Sequence, residues 1–167
     1  MELKRVLPER RVGLAGNPGA PDSAIAVAEL RLGRKLPPSY RQFLAFSDGW
    51  PDFFENACLL GTGEIGRQPA LPRQSGTSSP PSSRRAPSDS WVPFGVDRNG
   101  VTLFAFDTSA SSKDGELPVV AWLGGLGLNC TCFTAFLATV LQLCRAELMS
   151  AKAQGMRTAT NRLVKAG

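Results

Sequence analysis

The sequence contains no histidine among its 167 residues. Ser–His and Cys–His nucleophilic pairs and histidine-ligated metal sites are therefore excluded. A zinc site would need all four cysteines, at positions 58, 130, 132 and 144, to converge. Because Cys130 and Cys132 are separated by one residue, they make poor partners in a tetrahedral site. We predict that the protein uses no metal and no cofactor.

Other catalytic motifs are also missing. Carboxylates alone would have to act as acid and base, for instance as a pair about 5 to 9.5 Å apart in a cleft, and the sequence shows no such pair. Residues 124–127 resemble a phosphate loop only superficially, because no Lys-Ser or Lys-Thr follows them. They are interpreted as a glycine connection from a strand to the last helix. The prediction is a protein that is not an enzyme and has no small-molecule substrate.

The sequence has no long apolar run. No stretch approaches the roughly 20 apolar residues that a membrane span requires, and residues 1–5 are followed by Pro8 and more arginines rather than by an apolar signal region. We predict a soluble, cytoplasmic protein that binds no membrane and keeps its cysteines reduced. Cys132 and Cys144 lie in or beside an apolar helical pattern, which favours thiols packed as small hydrophobic groups.

The net charge of +5 is unevenly distributed. Residues 1–20, 67–90 and 146–167 together hold 12 of the 19 basic residues and four of the 14 acidic ones. The remaining segments therefore hold seven basic and ten acidic residues, a net charge of −3. No aromatic residue interleaves with the basic tail to form a stacking platform. We predict no nucleic-acid partner.

Composition divides the chain into a core and three peripheral segments. Residues 1–21 form an irregular arm, and residues 22–148 form one domain, within the usual size range. Residues 67–90 contain five prolines and seven serines with almost nothing apolar, which predicts a mobile insertion in that domain. Residues 149–167 are either a frayed helix or a basic tail.

Three helices are expected in the domain. The first begins at a cap provided by Asp22 or Ser23 and ends at Gly33. The second begins at Pro37-Pro38, since proline is favoured in the first turn, and ends at residues 47–49. The third follows an N-cap at Thr131 and has a wide apolar stripe over residues 133–148.

The strands lie between the second and third helices. Residues 53–65 indicate a strand region interrupted by glycines, and residues 118–123 form a further strand. Residues 91–107 are typical of a hairpin with a type I′ turn at Asn99-Gly100. Its second strand is apolar on both faces, which predicts a central position. The fold class is α+β, an antiparallel β-meander sheet packed against helices.

Five short motifs occur in a fixed order between residue 22 and about residue 145. They are Glu29 with Leu32-Gly33, Leu36-Pro37, Tyr40 and Phe43-Leu44; Asp48-Gly49; Phe94-Gly95 with Asp97, Gly100 and Asp107; Pro118-Val119-Val120 with Trp122; and the helix from Phe133 to Leu141. In this order they resemble the SUKH superfamily (SMI/KNR type), small domains widely used as immunity proteins against bacterial toxins.

The resemblance implies a toxin-neutralising immunity protein. Such a protein binds a cognate toxin stoichiometrically and blocks its active site or its access to substrate, so the expected partner is the cognate toxin. The alternative is a SUKH-type scaffold or regulatory interaction module whose cellular partner is not a toxin.

Acidic residues around two turn regions suggest where a partner binds. Residues 48–66 and 97–116 together contain eight carboxylates and only two basic residues. A surface cluster of this charge could attract a basic toxin surface. The alternative is turn chemistry, because Asp48, Asp97 and Asp114 all lie beside glycine turns. The predicted partner-binding residues are Asp48, Trp50, Asp52, Glu55, Asp97, Arg98, Asp107, Asp114 and Glu116.

An aromatic group follows the second helix. Trp50, Phe53 and Phe54 lie in and after a turn, where aromatic side chains are able to anchor a partner. We expect Phe53 and Phe54 to belong to the core and Trp50 to be exposed.

Overall fold

The computed structural model describes residues 16–54, 56–67, 90–98, 101–110, 114–123 and 126–165. The predicted arm up to residue 15, residues 68–89 of the predicted insertion and the predicted Asn99-Gly100 turn lie outside the described residues.

The first two helices lie one after the other near the start of the domain. Helix α1 spans Asp22–Leu32 and helix α2 spans Pro38–Phe46. Gly33 ends α1 in the left-handed conformation, with φ of 67°, as predicted. The predicted side-chain cap is wrong, because Pro21 precedes α1 and no side chain caps the helix. Instead, the Pro21 carbonyl oxygen accepts hydrogen bonds from the amides of Ala24 and Ile25.

Six strands form one antiparallel sheet in chain order. They are β1 (Trp50–Phe54), β2 (Ala57–Leu59), β3 (Trp91–Asp97), β4 (Thr102–Asp107), β5 (Val119–Leu123) and β6 (Leu126–Cys130). Every strand pairs with its neighbour in sequence, so the sheet is a meander. The predicted α+β class, the β3–β4 hairpin and the central position of β4 are confirmed.

The last strand was not predicted. The glycine-rich residues 124–127 were interpreted as a plain connection to the final helix, whereas Leu126–Cys130 is strand β6. It pairs with β5 from Val119↔Cys130 to Leu123↔Leu126. The interpretation was wrong because Gly124-Gly125 separates two strand-forming runs by two residues, which is itself a local signal for a hairpin.

Helix α3 spans Phe133–Lys165, so its 33 residues extend about 50 Å. Phe133, Phe136, Val140 and Cys144 are buried and form the predicted apolar stripe. The helix begins two residues after Thr131, the predicted N-cap. None of the described helices combines the length and apolar character needed to cross a membrane. All four cysteines are free thiols.

The helices pack on one face of the sheet through an aromatic core. Tyr40 of α2 lies at its centre, with ring centroids 5.4 Å from Phe94, 5.2 Å from Phe106 and 4.9 Å from Phe133. At Gly95 of β3, an added Cβ would lie 2.4 Å from the Phe104 ring of β4. Glycine at this position therefore leaves room for that ring in the core.

Candidate functional site: a protein-binding surface

The predicted partner-binding residue Asp48 holds three segments together. Its carboxylate accepts hydrogen bonds from the Thr62 amide at 2.5 Å and the Thr62 hydroxyl at 2.9 Å. Its backbone carbonyl oxygen accepts a hydrogen bond from the side-chain amide of Asn17 at 2.8 Å. Asp48 thus joins segments that are distant in sequence, and its part in partner binding stays a prediction.

Glu116 stabilises the beginning of α2. Its carboxylate accepts hydrogen bonds from the amide of Ser39 at 2.8 Å and from the Ser39 hydroxyl at 2.7 Å. The first amides of a helix have no partner within the helix and carry partial positive charge, so a carboxylate there is favourable. Glu116 supplies from a distant loop the cap that Pro37 and Pro38 cannot provide.

The two ends of β4 are closed by aspartates. Asp97 accepts hydrogen bonds from the amides of Val101 at 2.8 Å and Thr102 at 3.1 Å, across the hairpin loop. Asp107 accepts hydrogen bonds from the Ser109 amide at 2.9 Å and hydroxyl at 2.6 Å. Both carboxylates therefore accept local hydrogen bonds at the ends of the β3–β4 hairpin.

The prediction that Trp50 is exposed is wrong. Only 5% of Trp50 is exposed, because it begins β1 opposite Leu59 and its ring packs against the edge of Phe53, 5.9 Å between centroids. Phe53 and Phe54 are buried as predicted. A turn motif gives no information about which face of the following strand is covered, which explains the error.

The remaining predicted residues lie at the surface or outside the described chain. Asp52 is exposed, with a left-handed φ of 49° at the irregularity in β1. Arg98 and Asp114 are exposed as well. Glu55 lies outside the described residues.

The structure divides the predicted set between the two ends of the sheet. Strands β1, β3 and β5 run in the same direction, since each is antiparallel to its neighbours. Asp48 and Asp107 lie at the end where these strands begin, together with Asp114 and Glu116. Asp97 and Arg98 lie at the other end, about 17 Å along β4 from Asp107. The predicted residues at these two ends thus form two separate groups, and the second contains one carboxylate, Asp97, beside Arg98.

Glu29, a residue of the opening motif, was not predicted as a site residue. It is 4% exposed and accepts hydrogen bonds from Arg41 Nη1 at 2.6 Å, Lys35 Nζ at 2.8 Å and the Leu36 amide at 3.0 Å. Burial raises the pKa of this carboxyl, but the hydrogen bonds from Lys35, Arg41 and the Leu36 amide outweigh burial, so the pKa is lowered from its ordinary value. Glu29 thereby fixes α1, the loop and α2 to one another.

The buried phenol of Tyr40 also has a structural role. Its hydroxyl donates a hydrogen bond to the Leu60 carbonyl oxygen at 2.7 Å. Burial, followed by the negative charges of Asp48 and Glu64, raises the pKa of Tyr40 well above its ordinary value. A proton held this firmly in the core is unsuited to acid–base exchange with a ligand.

The metal-ligating side chains and the surface depression of the described residues were compared with what a binding site would need. They include no group of three or more His, Cys, Asp or Glu side chains placed to hold a metal ion. A shallow depression of about 320 Å³ lies between α1 and residues 61–66. On its wall, Arg31 Nη1 donates hydrogen bonds to the carbonyl oxygens of Thr62 at 3.0 Å and Ile65 at 2.6 Å. That guanidinium therefore fastens α1 to the turn.

The second face of the sheet is apolar and was not singled out from the sequence. Paired residues in an antiparallel ladder project to the same face, and alternate residues to opposite faces. The helices cover the face that carries Phe104, Phe106 and Ala121. The opposite face, which we call the outer face, carries the apolar residues Trp91, Pro93, Val96, Leu103, Ala105, Val120 and Trp122, with the polar residues Asp107 and Asn129 at its margins. The sequence feature that could have revealed this face is strand β4, because its residues are apolar on both sides.

The fold and the buried motif residues define an α+β domain in which helices cover one face of a meander sheet. The SMI1 / KNR4 family (SUKH-1) matches residues 19–139, and the chain belongs to this family. The resemblance predicted from the motifs is thereby confirmed. In a comparison with curated proteins, none matches the chain at a significant level.

Proposed function

We propose that this protein is an immunity protein that binds a cognate bacterial toxin stoichiometrically and neutralises it. The observation that carries the proposal is membership of the SMI1 / KNR4 family over residues 19–139. Domains of this superfamily generally act by binding other proteins rather than by catalysis. The proposed place of action is the cytoplasm.

The roles of the polar groups support a binding function. Glu29, Asp48 and Glu116 act as hydrogen-bond acceptors that hold the fold together. The phenol of Tyr40 is likewise committed to a backbone carbonyl. A protein that blocks a toxin through its shape and surface charge needs a rigid scaffold of this kind and no reactive group of its own.

The alternative is a scaffold or regulatory module of the same family whose cellular partner is not a toxin. The neighbouring gene separates the two. An adjacent reading frame that encodes a toxin domain favours immunity, and a stable complex with a non-toxic cellular protein favours the scaffold.

Co-expression tests the proposal directly. The toxin domain of the neighbouring reading frame is induced in cells with and without this chain, and growth is followed. We expect growth to be restored, and an inactivated toxin domain to co-purify with this chain as a 1:1 complex. A matched control is Glu29→Ala, which damages the fold and should lower protection. If folded protein neither restores growth nor forms the complex, the proposed function is wrong.

A further inference from the structure

We propose that this protein forms a symmetric homodimer in which strand β6 pairs antiparallel with β6 of a second copy. This inference goes beyond the proposed function and does not depend on it. It follows from a difference between the two edges of the sheet, which are strands β1 and β6. An edge strand has unpaired N–H and C=O groups along one side and can therefore pair with a further strand.

Strand β1 has three features that oppose pairing with a further strand. Pro51 has no N–H group to donate. Asp52 is charged and exposed and has a left-handed φ of 49°. The register with β2 shifts between Trp50 and Phe54, so this edge is irregular. Proline, charge and local irregularity are the devices that protect edge strands from unwanted pairing.

Strand β6 has none of these features. Residues 126–130 include no proline and no charged residue, and all five pair with β5 without a shift in register. Alternate residues of an antiparallel strand direct their backbone groups to opposite sides, so β6 also presents N–H and C=O groups away from β5. Within the described part of the chain, the backbone of β6 makes no hydrogen bond outside its ladder with β5. This edge is therefore regular and open.

The order of side chains along β6 suits pairing with itself. Leu128 is half-buried and pairs with Ala121 of the core, so it lies on the helix-covered face. A two-fold axis at Leu128 would place this residue opposite its counterpart in the second copy, and Gly127 opposite the exposed Asn129. Leucines would then meet on the helix-covered face, and each asparagine would lie beside a glycine that leaves it space.

The same axis brings the α3 helices of the two copies to one side of the joined sheet. Helix α3 lies close to β6, since Thr139 Oγ1 is 3.9 Å from Cys130 Sγ. Thr139 belongs to a row of uncharged residues spaced by three or four positions, and such a row shares one side of a helix. The row is formed by Ala135, Thr139, Leu143 and Ala146, which are half-buried or exposed. Two helices can approach along this row without burying a charge.

A second copy matches both parts of this surface at once. A strand from another protein would satisfy the backbone of β6, but covering the α3 row as well would require an uncharged helix placed beside that strand. A surface that meets itself across a two-fold axis is the commonest contact in soluble oligomers. The contact involves five strand residues and about three turns of helix. We therefore expect a weak dimer, with a Kd in the micromolar range.

Sedimentation velocity of the full chain over a range of concentrations tests the proposal. We expect the mass to rise with concentration from 17.8 kDa toward twice that value. Thr139→Arg places a charge in the α3 row and should raise the Kd of the dimer by about tenfold or more. The matched control is Thr134→Arg, because Thr134 is exposed on α3 outside this row, and its Kd should stay within about twofold of wild type.

A second pair of variants addresses the strand edge. Asn129→Lys places on β6 the kind of charge that protects edge strands, at an exposed position, and should also raise the Kd by about tenfold or more. Its control is Asp52→Lys, which changes an exposed residue at the opposite edge of the sheet and should leave the Kd unchanged. In wild-type protein, the β6 amides that do not bond to β5 should exchange with solvent more slowly at concentrations above the Kd than below it.

Thermal unfolding establishes that each variant is folded, and if Thr139→Arg is not, Ala146→Arg at an exposed position of the same row carries the same expectation. Three results would overturn the proposal. One is a mass that stays at 17.8 kDa up to about 1 mM protein. Another is a dimer that folded Asn129→Lys and Ala146→Arg leave intact, since it would use another surface. The third is a monomer whose β6 amides become protected on addition of the toxin domain, because β6 would then bind a strand of that partner. None of these results contradicts the proposed function, which depends on toxin binding and not on self-association.

Discussion

Replacement of Glu29 by alanine should be among the most destabilising single changes of a polar residue in this domain. The carboxylate is 4% exposed and receives hydrogen bonds from two cationic side chains and one backbone amide. Its loss leaves the Leu36 amide and the partly buried guanidinium of Arg41, whose side chain is 34% exposed, without their acceptor. Breaking a buried pair from one side costs about 3 to 5 kcal/mol.

The partial exposure of the cations lowers that figure. Lys35 is 82% exposed and contributes at most about 1 kcal/mol, as surface ion pairs do. We therefore expect Glu29→Ala to lower the free energy of unfolding by about 2 to 4 kcal/mol, and Lys35→Ala by less than about 1 kcal/mol. Glu29→Gln retains an acceptor for the Leu36 amide and should fall between them, at about 1 to 2 kcal/mol.

Urea unfolding at pH 7, followed by tryptophan fluorescence, measures these differences. The pH dependence supplies a second check. Because the folded-state pKa of Glu29 is lowered from 4.5, its stabilisation is present above that value and is lost as the pH falls through the lower folded-state pKa. Glu29→Gln should flatten this part of the stability curve. A cost below about 1 kcal/mol for Glu29→Ala, or equal costs for Lys35→Ala and Glu29→Ala, would refute the reasoning.

Three further measurements test the scaffold. Gly95→Ala should cost about 1 to 3 kcal/mol in urea unfolding, because its Cβ would lie 2.4 Å from the Phe104 ring, whereas Gly63→Ala, with nothing within 4 Å, should be nearly neutral; equal costs would contradict the packing argument. Tyr40 is the one tyrosine of the chain, and its raised pKa means that absorbance at 295 nm should show phenolate only on alkaline unfolding. Because the folded state favours the neutral phenol, stability should fall as the pH rises above 10.0, and titration in the folded protein near pH 10.0 would contradict its burial. Glu116→Ala should destabilise the protein by about 1 kcal/mol through loss of the α2 cap, and an unchanged midpoint would show that the cap is dispensable.

Local patterns were sufficient to locate most elements. Gly33 ends α1 because glycine adopts a positive φ without strain, and the paired prolines begin α2. The period of Phe133, Phe136 and Val140 identified the buried stripe of α3. In each case the neighbours that decide the conformation lie within a few residues.

Two of the errors arise because the partners are distant in sequence. Strand β6 is the exception, since it pairs with the strand directly before it, from Leu123↔Leu126 to Val119↔Cys130. Trp50 is buried because β1 turns it toward the core formed by residues far along the chain. Glu116 reaches Ser39 across 77 positions. None of these contacts leaves a periodic signal in the residues concerned.

The sequence by itself determined the family, the three helices, the central hairpin and the absence of histidine, because composition, motif order and hydrophobic period are properties of the chain alone. Only the tertiary structure decided that the acidic turns separate into two groups at opposite ends of the sheet, and that an apolar face lies between them. The physical reason is that a meander reverses direction at every strand, so the position of a side chain depends on the register and face of its strand as well as on its place in the sequence.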